Sequence, residues 1–104
     1  MRRLVLLIPL LFTNPAFTAE PGAALYRQKA CATCHAADGS GNTPAGKSMK
    51  VRDLRCDEVQ KMSDEDLAAA ILDGRGKMPA FRNSISAEQV KELVAHIRAL
   101  AKKQ

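Results

Sequence analysis

The chain has no tryptophan, a single tyrosine (Tyr26) and three phenylalanines, so aromatic residues make up 4% of its 104 positions. Large rings carry much of the burial in a small core, and one domain of this length without them builds a thin one. Some apolar body or crosslink beyond the side chains is therefore needed. Also missing is any run of roughly 20 apolar residues, the length a membrane-spanning helix requires. The longest candidate, Leu4–Phe12, is nine residues and contains Pro9. No segment alternates apolar and polar residues long enough to make a convincing strand, and there is no repeat and no second domain. Enzyme constellations are absent too: no Ser/His/Asp set, no carboxylate pair with a cleft to serve, no phosphate loop. Asp38-Gly39-Ser40-Gly41 is turn chemistry. The 16 Lys+Arg outnumber the 11 Asp+Glu, but they are scattered without stacking aromatics, which argues against a nucleic-acid surface.

The first residues, MRRLVLLIPLLFTNPAFTA, combine a positive head (Arg2, Arg3), an apolar run and a small-residue exit. That is the anatomy of a secretory signal peptide, expected over residues 1–19 with a cut between 18 and 24, leaving a domain over 20–104. No cysteine stands near the exit for a lipid anchor. Removing residues 1–19 takes two basic residues and no acidic ones, leaving 85 residues with a formal charge of +3. An exported chain meets an oxidising compartment, where free thiols are unusual.

What is present is concentrated. The chain has three cysteines and two histidines, and three of these five lie in Cys31-Ala32-Thr33-Cys34-His35. Three chemistries use a Cys-x-x-Cys pair. A dithiol switch belongs beside a strand in a βαβ unit, and no strand is found. Zinc needs four ligands in a structural site. Cys31, Cys34, His35 and Cys56 make four, but adjacent residues seldom both reach one tetrahedral centre, and Cys56 has no paired neighbour. Covalent haem attachment accounts for the spacing directly. One helical turn sets two thiols about as far apart as the two vinyl groups on one porphyrin edge, and the next histidine is held where its imidazole can bind iron. Haem would also supply the missing apolar body.

The rest of the chain reads as helices and loops. Residues 22–30 form a short helix leading into the cysteine motif. Residues 36–46, with three glycines, Asn42 and Pro44, read as turns without helix or strand. One short helix is expected around 58–61. Ser63 caps a clear helix, with Asp66 completing a weak capping box and Gly74 as the stop. RGKMPAF then runs as an extended loop, because Met78 precedes a proline. Ser86 caps the last helix with Gln89 at the third position, and Val90, Leu93, Val94, Ile97, Leu100 and Ala101 repeat at helical spacing. The fold class is small and all-helical.

A haem iron filled on both faces needs a second protein ligand, and the candidates are Met49, Met62, Met78 and His96. Methionine is more often core filler. Met78 stands apart, in a loop between Lys77 and Pro79 after Gly74 and Gly76, where the backbone can lay a thioether against a ring. Met62 precedes a helix cap and reads as a packing staple; Met49 has no special context, and His96 lies on the apolar last helix.

Taken together, CATCH, the glycine-rich loop after it, DGRGKMPAF and the closing SAEQVKELVAHIRAL resemble a small bacterial monohaem class I cytochrome c, over essentially the whole mature chain. The resemblance implies the cytochrome c fold, with first and last helices crossing and loops wrapped around one covalent haem. It implies thioether links at Cys31 and Cys34, with His35 and Met78 as axial ligands of the iron. It places Gly22 and Tyr26 against Leu93 and His96 at the crossing, where the family usually has Tyr or Phe in place of His96. The family's proline carbonyl, which holds the proximal histidine, has Pro44 as its candidate here.

These readings together imply a soluble periplasmic one-electron carrier and not an enzyme, with haem c and its iron as cofactor. The alternative is a haem-based sensor of small ligands, or a weak peroxidase, with a displaceable Met78. Redox proteins with acidic docking surfaces are the expected partners, met by Lys29, Lys47, Arg75 and Lys77 near the ligand loops. The chain is expected to be a monomer, with Cys56 filling a gap; a disulfide dimer through Cys56 is the other outcome.

Overall fold

The computed structural model describes residues 2–9 and 21–103. The exit of the expected signal peptide, including cut positions 18–20, lies outside the described residues. Residues 2–9 have no regular structure, and Leu4–Ile8 are 77–87% exposed, so these five residues take no part in the core.

Six helices follow: α1 (Pro21–Gln28), α2 (Cys31–His35), α3 (Pro44–Met49), α4 (Asp57–Gln60), α5 (Asp64–Asp73) and α6 (Ala87–Lys102). Among the described residues there is no strand, only an isolated bridge between Arg75 and Met78. The all-helical expectation holds.

Helix α6 organises the rest. Its cap is a full capping box: Ser86 Oγ accepts the Gln89 N–H at 3.1 Å and Gln89 Oε1 accepts the Ser86 N–H at 2.9 Å. Its apolar stripe is buried as the periodicity requires, from Leu93 at 2% exposure to Ile97 at 7%. Helix α1 packs across it at Gly22. A Cβ on Gly22 would overlap the Glu92 carbonyl and come within 2.8 Å of His96 Cβ, so only glycine lets the backbones approach this closely. Tyr26 and His96 then meet with ring centroids 4.9 Å apart, as expected for the crossing. Helix α5 lays Leu67 and Ile71 on the same core. Arg98 fastens the α4–α5 junction to α6. Its guanidinium donates to the carbonyls of Gln60 (2.9 Å) and Met62 (2.6 Å) and to Asp64 (2.8 Å).

Two local expectations are corrected. Residues 36–46 are not turns throughout, because α3 starts at Pro44. Thr43 Oγ1 caps it by accepting the Gly46 N–H at 2.9 Å, and proline at the first helical position gives up no hydrogen bond. Gly46 looked like a turn residue; it is needed because a Cβ there would overlap the carbonyls of Cys34 and Gly41. The segment after Gly74 is not extended from its start either. Met78 N–H bonds to the Arg75 carbonyl at 2.8 Å and Arg75 N–H to the Met78 carbonyl at 3.2 Å, closing a tight turn with Gly76 at φ 54. Glycine at the first central position is what such a turn demands.

Candidate functional site

Cys31 to His35 form the single turn α2, entered through Ala30 in the left-handed region (φ 61, ψ 21) and left through Ala36. The Thr43 hydroxyl holds the end of the turn, donating to the Thr33 carbonyl at 2.8 Å, with the Cys34 carbonyl at 3.2 Å. The turn after α5 is tied down at both ends. Gly74 N–H returns to Ala70, and Phe81 and Arg82 N–H groups cap the Ile71 and Leu72 carbonyls at 3.1 and 3.0 Å. These bonds satisfy carbonyls that every helix end leaves open, and they hang Met78 over the end of α5.

Between these parts lies a small apolar cleft, open to solvent and lined by Tyr26, Cys31, His35, Met78, Leu93 and Ile97, with Leu54, Leu67, Ala70 and Ile71 completing its wall. The structure therefore brings Cys31 and His35 of α2 and Met78 of the turn after α5 to one apolar cleft. Cys34 lies half-buried one turn from Cys31 and is not part of the wall; Met49, Met62 and His96 are not part of it either. Leu54 is a wall residue that the sequence reading did not single out, since it sits in an irregular segment with no periodic signal.

The electrostatics suit a neutral ligand set. Burial pushes the His35 imidazole below its ordinary range, which favours the form with a free lone pair. Burial likewise raises the Cys31 thiol and, more strongly, the Tyr26 phenol, which Cys31 and Asp38 also raise. His35 Nδ1 is buried without a hydrogen-bond partner, so the expected bond to the Pro44 carbonyl is not made. An orphaned buried nitrogen is costly, so this imidazole carries an unsatisfied polar atom at the edge of the cleft. An apolar cleft, one imidazole, one thioether and a thiol on the wall fit a covalent haem. Among the described residues no group of three His, Cys, Asp or Glu side chains could hold a bare metal ion, so the four-ligand zinc arrangement is not formed.

Cys56 is the N-cap of α4 and half-buried against the core. The protein is expected to migrate as a monomer on gels with and without reductant. A band of twice the mass that reductant removes would establish the disulfide dimer instead.

Comparison with known proteins bears on this site. Residues 17–97 match the family described as cytochrome c oxidase, cbb3-type, subunit III. Cytochrome c6 of Nostoc sp. is 32% identical over 83% of this chain and 76% of its own length. Cytochrome c6 of Microcystis aeruginosa is 33% identical over 79% of this chain and 96% of its own length. Among solved structures, the KustC0563 c-type cytochrome superposes with a TM-score of 0.69 at 36% identity, covering 76% of this chain and 95% of that one.

Proposed function

The chain belongs to the class I cytochrome c family, and from that premise we propose that it is a periplasmic one-electron carrier holding a single haem. Cys31 and Cys34 would form the thioether links, and His35 and Met78 would be the axial ligands. The observation that carries this is the convergence of Cys31, His35 and Met78 on one apolar cleft. Bound there, haem supplies an iron that gains and loses one electron, at a potential raised by a thioether ligand. The chain's own residues do the rest. Leu67, Ile71, Leu93 and Ile97 give the cleft an apolar wall for the porphyrin to pack on. The bonds from Phe81 and Arg82 to the end of α5, and the Arg75–Met78 turn, keep the thioether in place. With both ligands fixed, little rearrangement accompanies a change of one charge.

Export is supported by the exposed apolar run Leu4–Ile8 after two arginines. Because Gly22 is buried against α6, a cut that preserves the crossing falls before Gly22, in the earlier part of the expected window. Among the described residues no helix is long and apolar enough to cross a membrane.

The decisive experiment is a redox titration of the holoprotein. One haem per chain, a reversible one-electron curve and no rapid colour change with carbon monoxide or peroxide are expected. A rapid change in the native protein would favour the sensor or peroxidase. The matched family's description names an oxidase subunit, which favours a second reading as a fixed member of a larger complex. Stable copurification with membrane oxidase subunits would establish that reading.

The surface suits a transient partner with acidic groups. Lys77 is exposed at the tip of the turn beside Met78, and Arg75 and Lys47 are exposed as well. Lys29 is less available, since its ammonium donates to the Ser84 carbonyl at 2.9 Å. Charge steering raises encounter rates and is screened by salt over about 8–10 Å. Electron transfer to the partner is therefore expected to slow as ionic strength rises, and Lys77→Glu to slow it several-fold more than Lys103→Glu. Equal slowing would mean that only net charge matters, and a rate that rises with salt would point to a basic or apolar partner surface.

A further inference from the structure

Ala36, directly after His35, has φ 64 and ψ 161. Ala30 (φ 61, ψ 21) and Lys50 (φ 52, ψ 47), the other non-glycine residues with positive φ among those described, sit in the left-handed helical region that side chains tolerate. Ala36 does not; its region is essentially reserved for glycine and persists only where the surroundings over-determine it. Four hydrogen bonds surround the junction. Ala36 N–H donates to the Ala32 carbonyl at 3.0 Å, and the His35 carbonyl accepts the Gly41 N–H at 2.8 Å. The Ala36 carbonyl accepts the Gly39 N–H at 3.1 Å and the Tyr26 hydroxyl at 2.6 Å. Only the last comes from outside the local segment.

We infer that Tyr26 is a positioning residue: its hydroxyl clamps the Ala36 carbonyl, so that the strained junction holds the His35 imidazole in one orientation within the cleft. Phenylalanine would fill the cleft wall and pack on His96 equally well. The hydroxyl is buried at a residue 3% exposed, which is unfavourable unless it is bonded, and its partner is the one carbonyl that follows a strained φ. The same ring touches His96, so the α1–α6 crossing and the orientation of His35 are joined through one side chain. The inference rests on His35 being an axial ligand.

The test uses ferric holoprotein, reading the paramagnetically shifted resonances of the His35 ring and the midpoint potential. In the unsubstituted protein the ring resonances should lie far outside the diamagnetic range; if they do not, the ligation reading fails and the clamp with it. Tyr26→Phe should shift both readouts. Adding Ala36→Gly should return both toward their original values, because glycine holds the conformation without a clamp. A general loosening of α1 against α6 would not be rescued by glycine at position 36. Should Tyr26→Phe alone fail to take up haem, the double variant must recover loading, and continued failure refutes the clamp. Shifted His35 resonances that ignore Tyr26→Phe, or that ignore the glycine rescue, overturn the clamp alone.

Discussion

Replacing Met78 with alanine is expected to lower the midpoint potential by a sizeable part of the roughly 0.8 V window that axial ligation spans, while the haem stays attached. Attachment depends on the thiols of Cys31 and Cys34, which the substitution does not touch. The thioether favours ferrous iron, so its loss favours the ferric form and the potential falls. The weak long-wavelength band of a sulfur–ferric bond should vanish, and ferrous protein should acquire carbon monoxide binding. Structure should change little. Met78 is half-buried, and the turn around it is held by backbone bonds between Arg75 and position 78 that alanine keeps. Retention of the band would make Met49 or Met62 the ligand. That outcome would require large movement, because neither lines the cleft.

The haem motif and the elements flanking it were legible because their chemistry is local. CATCH carries its meaning in spacing, and the caps at Ser63 and Ser86 announce themselves by residue type; both hydroxyls accept from the third residue of their helices. The α6 stripe was legible because burial follows helical period. What escaped depends on residues distant in sequence. Gly46 reads as a turn glycine unless one knows that the Cys34 and Gly41 carbonyls crowd it. Leu54 becomes a wall residue only when its irregular segment folds over the cleft, its N–H bonded to the Gly39 carbonyl at 2.8 Å. Nothing about Ala36 in the sequence signals a glycine-like φ, and nothing about Tyr26 shows which carbonyl its hydroxyl will find. Pro44 is only a candidate, by resemblance, for the carbonyl that holds the histidine; His35 Nδ1 does not reach it, and its visible role is to start α3.

The second large effect is expected at the crossing. Gly22→Ala should lower the stability of the holoprotein by about 2 kcal/mol, the net of one gain and two costs. Alanine in place of a helical glycine gains up to ~1 kcal/mol through propensity and a less flexible unfolded chain. Against this, the added Cβ falls on the Glu92 carbonyl and within 2.8 Å of His96 Cβ. Both are part of α6 or fixed directly to it, so no flexible side chain can yield and the helices must separate. Overpacking of this kind costs about 1–3 kcal/mol or more, and separation also weakens the Tyr26–His96 ring contact, a further ~0.5–1.5 kcal/mol. The loss exceeds the gain. It is a large fraction of the roughly 5–15 kcal/mol that holds a domain together. In a domain of this size it corresponds to a fall of about 8–16 °C in Tm. Gly22→Val, with two more methyl groups and a lower helix propensity, should fall further. Gly76→Ala is the control, because its added Cβ meets nothing within 4 Å: it strains one exposed turn and should leave the His96 ring resonances in place, while Gly22→Ala moves them. A Tm that is unchanged or raised by Gly22→Ala would mean that α1 and α6 can part without cost, and that this contact is not what holds the two ends of the chain together.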